Sequence, residues 1–317
     1  MKNILTVIPL NDSQKTLLQE AAGSNATLTF REAGTVTKED LEGAHGIIGM
    51  PAPDMVKQAA NLAWLQLFTA GVDPFVVPGV MPDKAVLTNA PGAHALSVAE
   101  HAVALTFALL RKLRTYGIQQ QAAHWELRGE VKSVEGARIA VLGLGESGGL
   151  YAKKMHALGA HILGVRRHAL DKPDYVDEQF TNDALDEVLG QADVVTMVLP
   201  GGAATEHIMD ERRLRLMKKD AYLINVGRGN AIDPAALKKV LAEGHLAGVA
   251  LDVTEPEPLP SDDALWGIER VLITPHSASN FLLPGTKDRA VQTAAENLKR
   301  FLAGEALTEV VDRGLGY

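Results

Sequence analysis

The chain has 317 residues, 46% hydrophobic and 22% charged, with 31 basic against 39 acidic side chains for a formal charge of −8. At about 150 residues per domain that length predicts two globular domains, and so ordinary a composition argues against disorder. The acidic balance offers no footprint for nucleic acid or an anionic membrane, and the absence of cysteine excludes disulfides, thiolate metal sites and cysteine nucleophiles.

The first apolar stretch, residues 4–10, is too short for a signal peptide and lacks its small-residue cleavage site, so it reads as a strand of a cytoplasmic protein. Further strand candidates follow at 26–30, 46–49, 65–68 and 85–88, with helical segments between most of them. This alternation is that of a parallel sheet with crossover helices. The longest helical pattern covers 97–114, where Val98, His101, Ala102, Leu105, Leu109 and Leu113 form one stripe. Its most apolar run, 102–110, falls short of the ~20 residues that cross a bilayer. A second alternating series begins at Arg138, with six strands expected at 139–142, 162–165, 194–199, 222–226, 249–253 and 271–274. The chain closes with a helix at about 287–302, ending at Ala303-Gly304 as a helix C-terminus should. The predicted fold class is α/β, with doubly wound parallel sheets in two domains that meet across a cleft.

Within the second series, Gly143-Leu144-Gly145-Glu146-Ser147-Gly148 directly follows one strand and directly precedes a helix expected to reach about residue 158. In such a loop the first glycine permits the tight turn, the second lets the backbone approach a pyrophosphate, and the third lets helix and strand pack closely. The helix N-terminus then faces the anion. This context marks a Rossmann-type dinucleotide site, with all six positions except Leu144 as expected cofactor contacts. An NAD enzyme would end the next strand in an acidic residue, but here it ends in Arg166-Arg167-His168. A carboxylate repels a 2′-phosphate, whereas a guanidinium holds one with paired hydrogen bonds, so Arg166 and Arg167 point to NADP, with NAD as the alternative. Exposed arginines that merely solvate a loop would look the same. Gly149, directly after the third glycine, is expected to loosen the start of the helix.

Three later segments each follow a predicted strand: Asn225-Val-Gly-Arg-Gly229, then 251–259 with Glu255 and Glu257, then Ile273-Thr-Pro-His276. In an open α/β sheet the carboxyl ends of strands form the binding crevice. Arg228, a glutamate and His276 therefore converge on one edge, supplying an anion clamp, an acid and that acid's orienter. Singly, each is an ordinary residue. No H-E-x-x-H occurs, and His94 and His101 read as plain histidines near a helix start, so no metal site is expected.

Together with 67–73, 88–92 and 98–102, these segments resemble, in order, the D-isomer-specific 2-hydroxyacid dehydrogenase family over nearly the whole chain. The closest resemblance is to NADPH-linked glyoxylate and hydroxypyruvate reductases. The resemblance implies that Arg228 holds the carboxylate of a small 2-oxo acid and that His276 donates the proton as hydride arrives, giving a D-2-hydroxy acid. It selects Glu257, immediately before Pro-Leu, as the histidine's partner. It implies further cofactor contacts at Leu199, Pro200, Val226, Gly227, Asp252 and Ala278, and carboxylate binding by Ala70, Gly71 and Val72. A flavodoxin-like substrate domain would then comprise residues 1–98 plus 282–317, with the NAD(P)-binding domain at 99–281. The segment 119–135, carrying Trp125, resembles the family's dimer-forming arm, implying a homodimer. The loop Met50-Pro-Ala-Pro53 carries no charge, which ranks a D-3-phosphoglycerate dehydrogenase second. A non-catalytic NAD(P)-sensing binding protein on the same fold is the third reading. Ser277-Ala-Ser-Asn280 departs from the family's usual Ala-Gly and is expected to reshape the neighbourhood of His276.

Overall fold

The computed structural model describes residues 1–168 and 170–316; Ala169 and Tyr317, which fall inside the expected domain ranges, lie outside them. The chain divides into two compact units, Met1–His94 with Ser279–Tyr317, and Ala95–Ala278. The divisions fall four and three residues before the expected ones.

The first unit is built on a five-stranded parallel sheet: β1 (Lys2–Val7), β2 (Ala26–Arg31), β3 (Gly46–Gly49), β4 (Trp64–Leu67) and β5 (Val86–Thr88), in the flavodoxin-like order β2-β1-β3-β4-β5. Every residue of β3 and β4 is buried, as expected of strands covered on both faces. Three helices connect them, α1 (Asp12–Ala22), α2 (Lys38–Gly43) and α3 (Pro53–Val56). The Asn11 and Gln14 side chains cap the start of α1 reciprocally, satisfying donors that the first turn leaves open.

Helix α4 (Pro91–Leu110) begins six residues before the predicted start, because Pro91 has the fixed φ that a first helical turn accepts. It also stops early. Lys112 takes a left-handed conformation (φ 54°) and its ammonium donates to Arg128 O, so a separate helix, α5 (Leu113–Gln121), follows. At 20 residues α4 has the length and composition of a bilayer-crossing helix, although the run 102–110 by itself is too short for one. Of the expected stripe, Val98, Ala102, Leu105 and Leu109 are nevertheless buried in a protein core, whereas His101 is half-buried and Leu113, which falls on α5, is exposed.

The second unit holds seven parallel strands: β6 (Arg138–Leu142), β7 (His161–Arg166), β8 (Glu178–Thr181), β9 (Val194–Met197), β10 (Tyr222–Asn225), β11 (Gly248–Leu251) and β12 (Val271–Ile273), in the order β12-β11-β10-β9-β6-β7-β8. The order reverses between β6 and β9, the place where open α/β sheets bind ligands. Helices α6 (Glu146–Ala157), α7 (Leu185–Gln191), α8 (Glu211–Leu216) and α9 (Pro234–Ala242) fill the crossovers. Strand β8 was not foreseen. It reads Glu-Gln-Phe-Thr and is only half-buried at the sheet edge, so it carries no apolar run to detect.

The chain ends with α10 (Thr286–Ala303), which returns to the first unit. Ala290, Val291, Ala294, Ala295 and Leu298 pack there against Ile4, Ile48 and Trp64. A buried polar network fixes its register. Asn297 Nδ2 donates to Gln66 Oε1 (2.8 Å), Thr88 Oγ1 donates to the same oxygen (2.8 Å), and Trp64 Nε1 donates to Thr88 Oγ1 (2.9 Å). Satisfied networks of this kind specify one arrangement because each unpaired member would be costly.

Candidate active site

The glycine loop lies between β6 and α6, at the point where the strand order reverses. Gly143 has φ +98°, and a Cβ there would sit 2.6 Å from Val198 O. At Gly148 a Cβ would come within 1.9 Å of Gly143 O, so the third glycine is demanded by backbone contact. Gly145 caps α6 with an ordinary φ of −74°, and a Cβ there would meet no protein atom within 4 Å. That cradle is open where a ligand's backbone contact is expected, and the residues present fit a pyrophosphate. Glu146 is exposed and Ser147 half-buried on the first turn of α6. Gly149 does not loosen this helix. It is buried, its amide donates to Gly145 O (2.7 Å), and a Cβ would lie 3.0 Å from the Tyr175 hydroxyl, so its smallness serves packing.

Arg166 closes β7, half-buried, and its Nη2 donates to Leu144 O (3.2 Å) in the glycine loop. Arg167 follows, exposed. Both arginines therefore stand at the carboxyl end of the strand beside the loop.

Arg228 sits in extended backbone after β10. Asn225 Nδ2 donates to Arg228 O (2.8 Å), Gly227 N donates to Asn225 Oδ1 (3.1 Å), and Arg228 Nη1 donates to Gly227 O (2.9 Å). Leu199 and Pro200 follow β9, half-buried, and a Cβ on Gly227 would strike the Leu199 backbone at 2.5 Å. Val226 is buried.

His276 follows β12, and its Nδ1 lies 2.6 Å from Glu257 Oε1, with both side chains partly exposed. Glu255 faces elsewhere, 2.8 Å from His207 Nε2, and that hydrogen bond raises the His207 pKa. A carboxylate can only accept, so the proton of the Glu257 contact resides on Nδ1, and Nε2 is the nitrogen left to exchange a proton with a substrate.

Asp252, expected among the cofactor contacts, has its carboxylate buried within the loop that carries His276. It accepts from Thr274 Oγ1 (2.6 Å), Ser277 N (2.8 Å) and Ala278 N (3.0 Å), while its own carbonyl accepts from His276 N (2.8 Å). Burial pushes its pKa up, but the bonds from His101, Thr274, Ala278 and Ser277 outweigh that and hold it down at about 2. The Ala278 side chain is likewise buried in the core, so only its backbone serves the loop. Ser277, flagged as a departure from the usual pattern, spends its amide and its hydroxyl on Asp252. Sequence reading missed His101. In sequence it reads as a plain helix histidine, yet its Nε2 lies 3.0 Å from Thr274 Oγ1 and 3.3 Å from Asp252 Oδ1. A separation of 173 residues from Thr274 hides that contact from any local pattern.

In the first unit, Ala70, Gly71 and Val72 form a turn after β4, held by Thr69 Oγ1 donating to Gly71 O (2.7 Å) and Asn89 Nδ2 donating to Ala70 O (2.7 Å). Among the described residues the amides of Ala70, Gly71 and Val72 make no hydrogen bond to the protein. Among the described residues, too, no group of three or more metal-ligating side chains assembles.

Comparison with known proteins places this geometry in context. The family model for the D-isomer specific 2-hydroxyacid dehydrogenase, NAD binding domain, matches residues 103–278. A glyoxylate reductase of Thermofilum pendens is 32% identical over 269 residues, covering 82% of this chain and 78% of that protein. A crystal structure of a D-isomer specific 2-hydroxyacid dehydrogenase family protein from Aeromonas salmonicida superposes with a TM-score of 0.86 at 29% identity, covering 98% of this chain and 99% of the other. A dehydrogenase of the same description from Xanthobacter autotrophicus, in complex with NADPH and MES, gives 0.84 at 27% identity, covering 100% and 99%. With the family model matching more than half of its length, the chain belongs to the D-isomer specific 2-hydroxyacid dehydrogenases, a family of NAD(P)-dependent oxidoreductases.

Proposed function

We propose that this protein reduces a small 2-oxo acid of the glyoxylate or hydroxypyruvate type to a D-2-hydroxy acid, with NADPH as the reductant. The observation that carries the reading is the 2.6 Å contact between His276 Nδ1 and Glu257, which leaves Nε2 to deliver a proton. The bound nicotinamide would supply the hydride. Glu257 fixes the ring, so that His276 faces the carbonyl oxygen with Nε2 and can protonate it as charge develops there. Arg228 presents a planar, permanently charged fork to the substrate carboxylate. The amides at Ala70, Gly71 and Val72 are our candidates for further carboxylate binding. Gly145 with the first turn of α6 would receive the pyrophosphate, and Arg166 and Arg167 the 2′-phosphate.

Two further points belong to the proposal: a cytoplasmic location, and a homodimer formed through the segment that carries Trp125. Trp125 is 101% and Leu127 90% exposed, and with Tyr116 and Gln119 they line an open hollow of about 600 Å³. Fully exposed large apolar side chains on one segment are a mark of a contact surface. Trp125→Glu should then yield monomers by size exclusion with light scattering.

The test of function is a steady-state screen of glyoxylate, hydroxypyruvate and other 2-oxo acids with NADPH and NADH in parallel. Turnover should be fastest with NADPH, and His276→Ala should abolish it while NADPH binding persists. Unchanged turnover in that variant would sink the mechanism, and efficient 3-phosphoglycerate oxidation would replace the substrate assignment.

A further inference from the structure

His276 stands in a conformation that a non-glycine residue seldom adopts, with φ +49°. Such a backbone is strained and persists only where its surroundings over-determine it. Those surroundings can be traced. His276 N donates to Asp252 O (2.8 Å), and the next two amides, Ser277 N and Ala278 N, donate to the two oxygens of the Asp252 carboxylate (2.8 and 3.0 Å). Asp252 is therefore the post around which residues 276–278 turn. What fixes the post from outside the loop is Thr274 and, beyond it, α4.

The hydrogen inventory of that junction is determined. The Asp252 carboxylate only accepts, and the Thr274 hydroxyl spends its one hydrogen on it at 2.6 Å. His101 Nε2 faces both oxygens, at 3.0 Å from Thr274 Oγ1 and 3.3 Å from Asp252 Oδ1, so Nε2 must be the protonated nitrogen and donate to the pair. With its side chain 22% exposed and Asp252 at 1%, this contact lies largely out of water, where an unmade bond is expensive. Helix α4 is held in turn by core residues on either side of His101, Ala99 and Ala102, both fully buried. The imidazole thus ties a rigid element to the loop that carries the acid.

We infer that His101 is a positioning residue for the proposed reduction: through Thr274 and Asp252 it holds the 276–278 turn so that His276 keeps its left-handed backbone and its Glu257 contact. The inference rests on the proton-donor role given to His276 above. A misplacement of about 1 Å at a reacting group can cost about 10²-fold in rate. His101→Ala should accordingly lower kcat by roughly 10- to 100-fold, with the KM for the 2-oxo acid and the Kd for NADPH changed less than about threefold. His101→Gln, whose amide nitrogen takes the place of Nε2 as a donor, should recover most of that loss. Thr274→Val should reproduce the loss, and the double variant His101→Ala/Thr274→Val should be no worse than the poorer single one, because both act through Asp252.

A purely structural role would behave otherwise: His101→Ala and His101→Gln would be equally impaired, or the losses at 101 and 274 would multiply. Either result, or an unchanged kcat in His101→Ala, overturns the inference. Should His101→Ala fail to fold, the Gln and Thr274→Val variants carry the same comparison. If the wild-type protein turns over no 2-oxo acid, the functional reading falls, and positioning is read instead from amide hydrogen exchange at His276. That exchange should quicken at least tenfold in His101→Ala and stay near wild type in His101→Gln; equal exchange in all three would reject the positioning role.

Discussion

The glycine loop makes a paired prediction in which stability and cofactor affinity come apart. At Gly148 an added methyl would lie 1.9 Å from Gly143 O. That is about 1.4 Å inside the ~3.3 Å at which a carbon comfortably meets a carbonyl oxygen. Both atoms belong to backbone, so no side-chain rotation relieves the clash and the first turn of α6 must move off the loop. Overpacking of this kind costs about 1–3 kcal/mol, so Gly148→Ala should lower Tm by roughly 3–10 °C and weaken dinucleotide binding as well. Gly145→Ala should do only the second. Its Cβ meets no protein atom within 4 Å and its φ of −74° suits any residue. The poorer helix cap that alanine makes is offset by the chain entropy it removes from the unfolded state, leaving a net change within about 0.5 kcal/mol. The new methyl would stand instead where the pyrophosphate is proposed to approach, and NADPH affinity should fall tenfold or more, about 1.4 kcal/mol. Differential scanning fluorimetry gives the Tm values, and titration of NADPH fluorescence gives the Kd values. A Gly145→Ala protein that binds NADPH as tightly as wild type, or a Gly148→Ala protein that melts with wild type, would refute the reasoning.

Removing both guanidinium groups in Arg166→Ala/Arg167→Ala should raise the Kd for NADPH at least tenfold while NADH binding shifts less than twofold, since a charge-assisted hydrogen bond is worth about 1.5–3 kcal/mol. Equal losses for the two nucleotides would show that these arginines do not read the 2′-phosphate. Asp252 predicts an acid-sensitive increment of stability. Its carboxyl is held at about 2 in the fold against 3.8 ordinarily, so the contribution is fully present above about pH 4 and disappears as pH falls through 2. The difference of nearly two units amounts to about 2 kcal/mol, which urea unfolding between pH 5 and 2 should reveal as a steeper loss in wild type than in Asp252→Asn. Parallel curves for the two proteins would remove Asp252 from that role. Tyr151, buried with its pKa pushed up to about 12, shares its hydroxyl with Thr106 Oγ1 (2.9 Å) and Thr196 Oγ1 (3.0 Å). Tyr151→Phe should therefore cost about 1–3 kcal/mol in thermal or urea unfolding without altering the KM for either ligand, whereas a stability equal to wild type would mean that those hydroxyls re-pair freely.

Most strands were legible because a parallel strand covered on both faces is a short continuous apolar run, and Ile47-Ile48 or Val194-Val195 can be little else. The same logic is blind at an edge: β8 pairs with β7 through backbone that any residue supplies, and Glu178 and Gln179 betray nothing. The helix predicted at 97–114 was long enough in pattern but wrong at both ends. Its start depends on Pro91 being tolerated in a first turn, and its end on a contact from Lys112 to a carbonyl 16 residues on. Within the site, residues at strand ends could be listed from sequence since topology delivers them to one edge. Glu257 could be listed with them, but the contacts that hold the His276 loop could not. His101 reaches Thr274 from a helix in a different part of the chain, and Asp252 proved to serve the loop's own backbone.

The segment Asn225-Val-Gly-Arg-Gly229 draws attention in sequence for its arginine, the proposed anion clamp, but in the fold its glycines fix where that arginine stands. A Cβ on Gly227 would stand 2.5 Å from Leu199 O, and one on Gly229 would stand 1.9 Å from Thr254 O. The loop after β10 is thus pressed, backbone to backbone, against the loop after β9 on one side and the loop after β11 on the other. Arg228 lies between the two contacts, and Thr254 is three residues from Glu257, whose carboxylate holds His276. Since interiors this tightly packed transmit displacements, any side chain at either glycine would move the guanidinium and the glutamate together. The relative placing of Arg228, His276 and Glu257 is therefore set by missing side chains as much as by the charged ones.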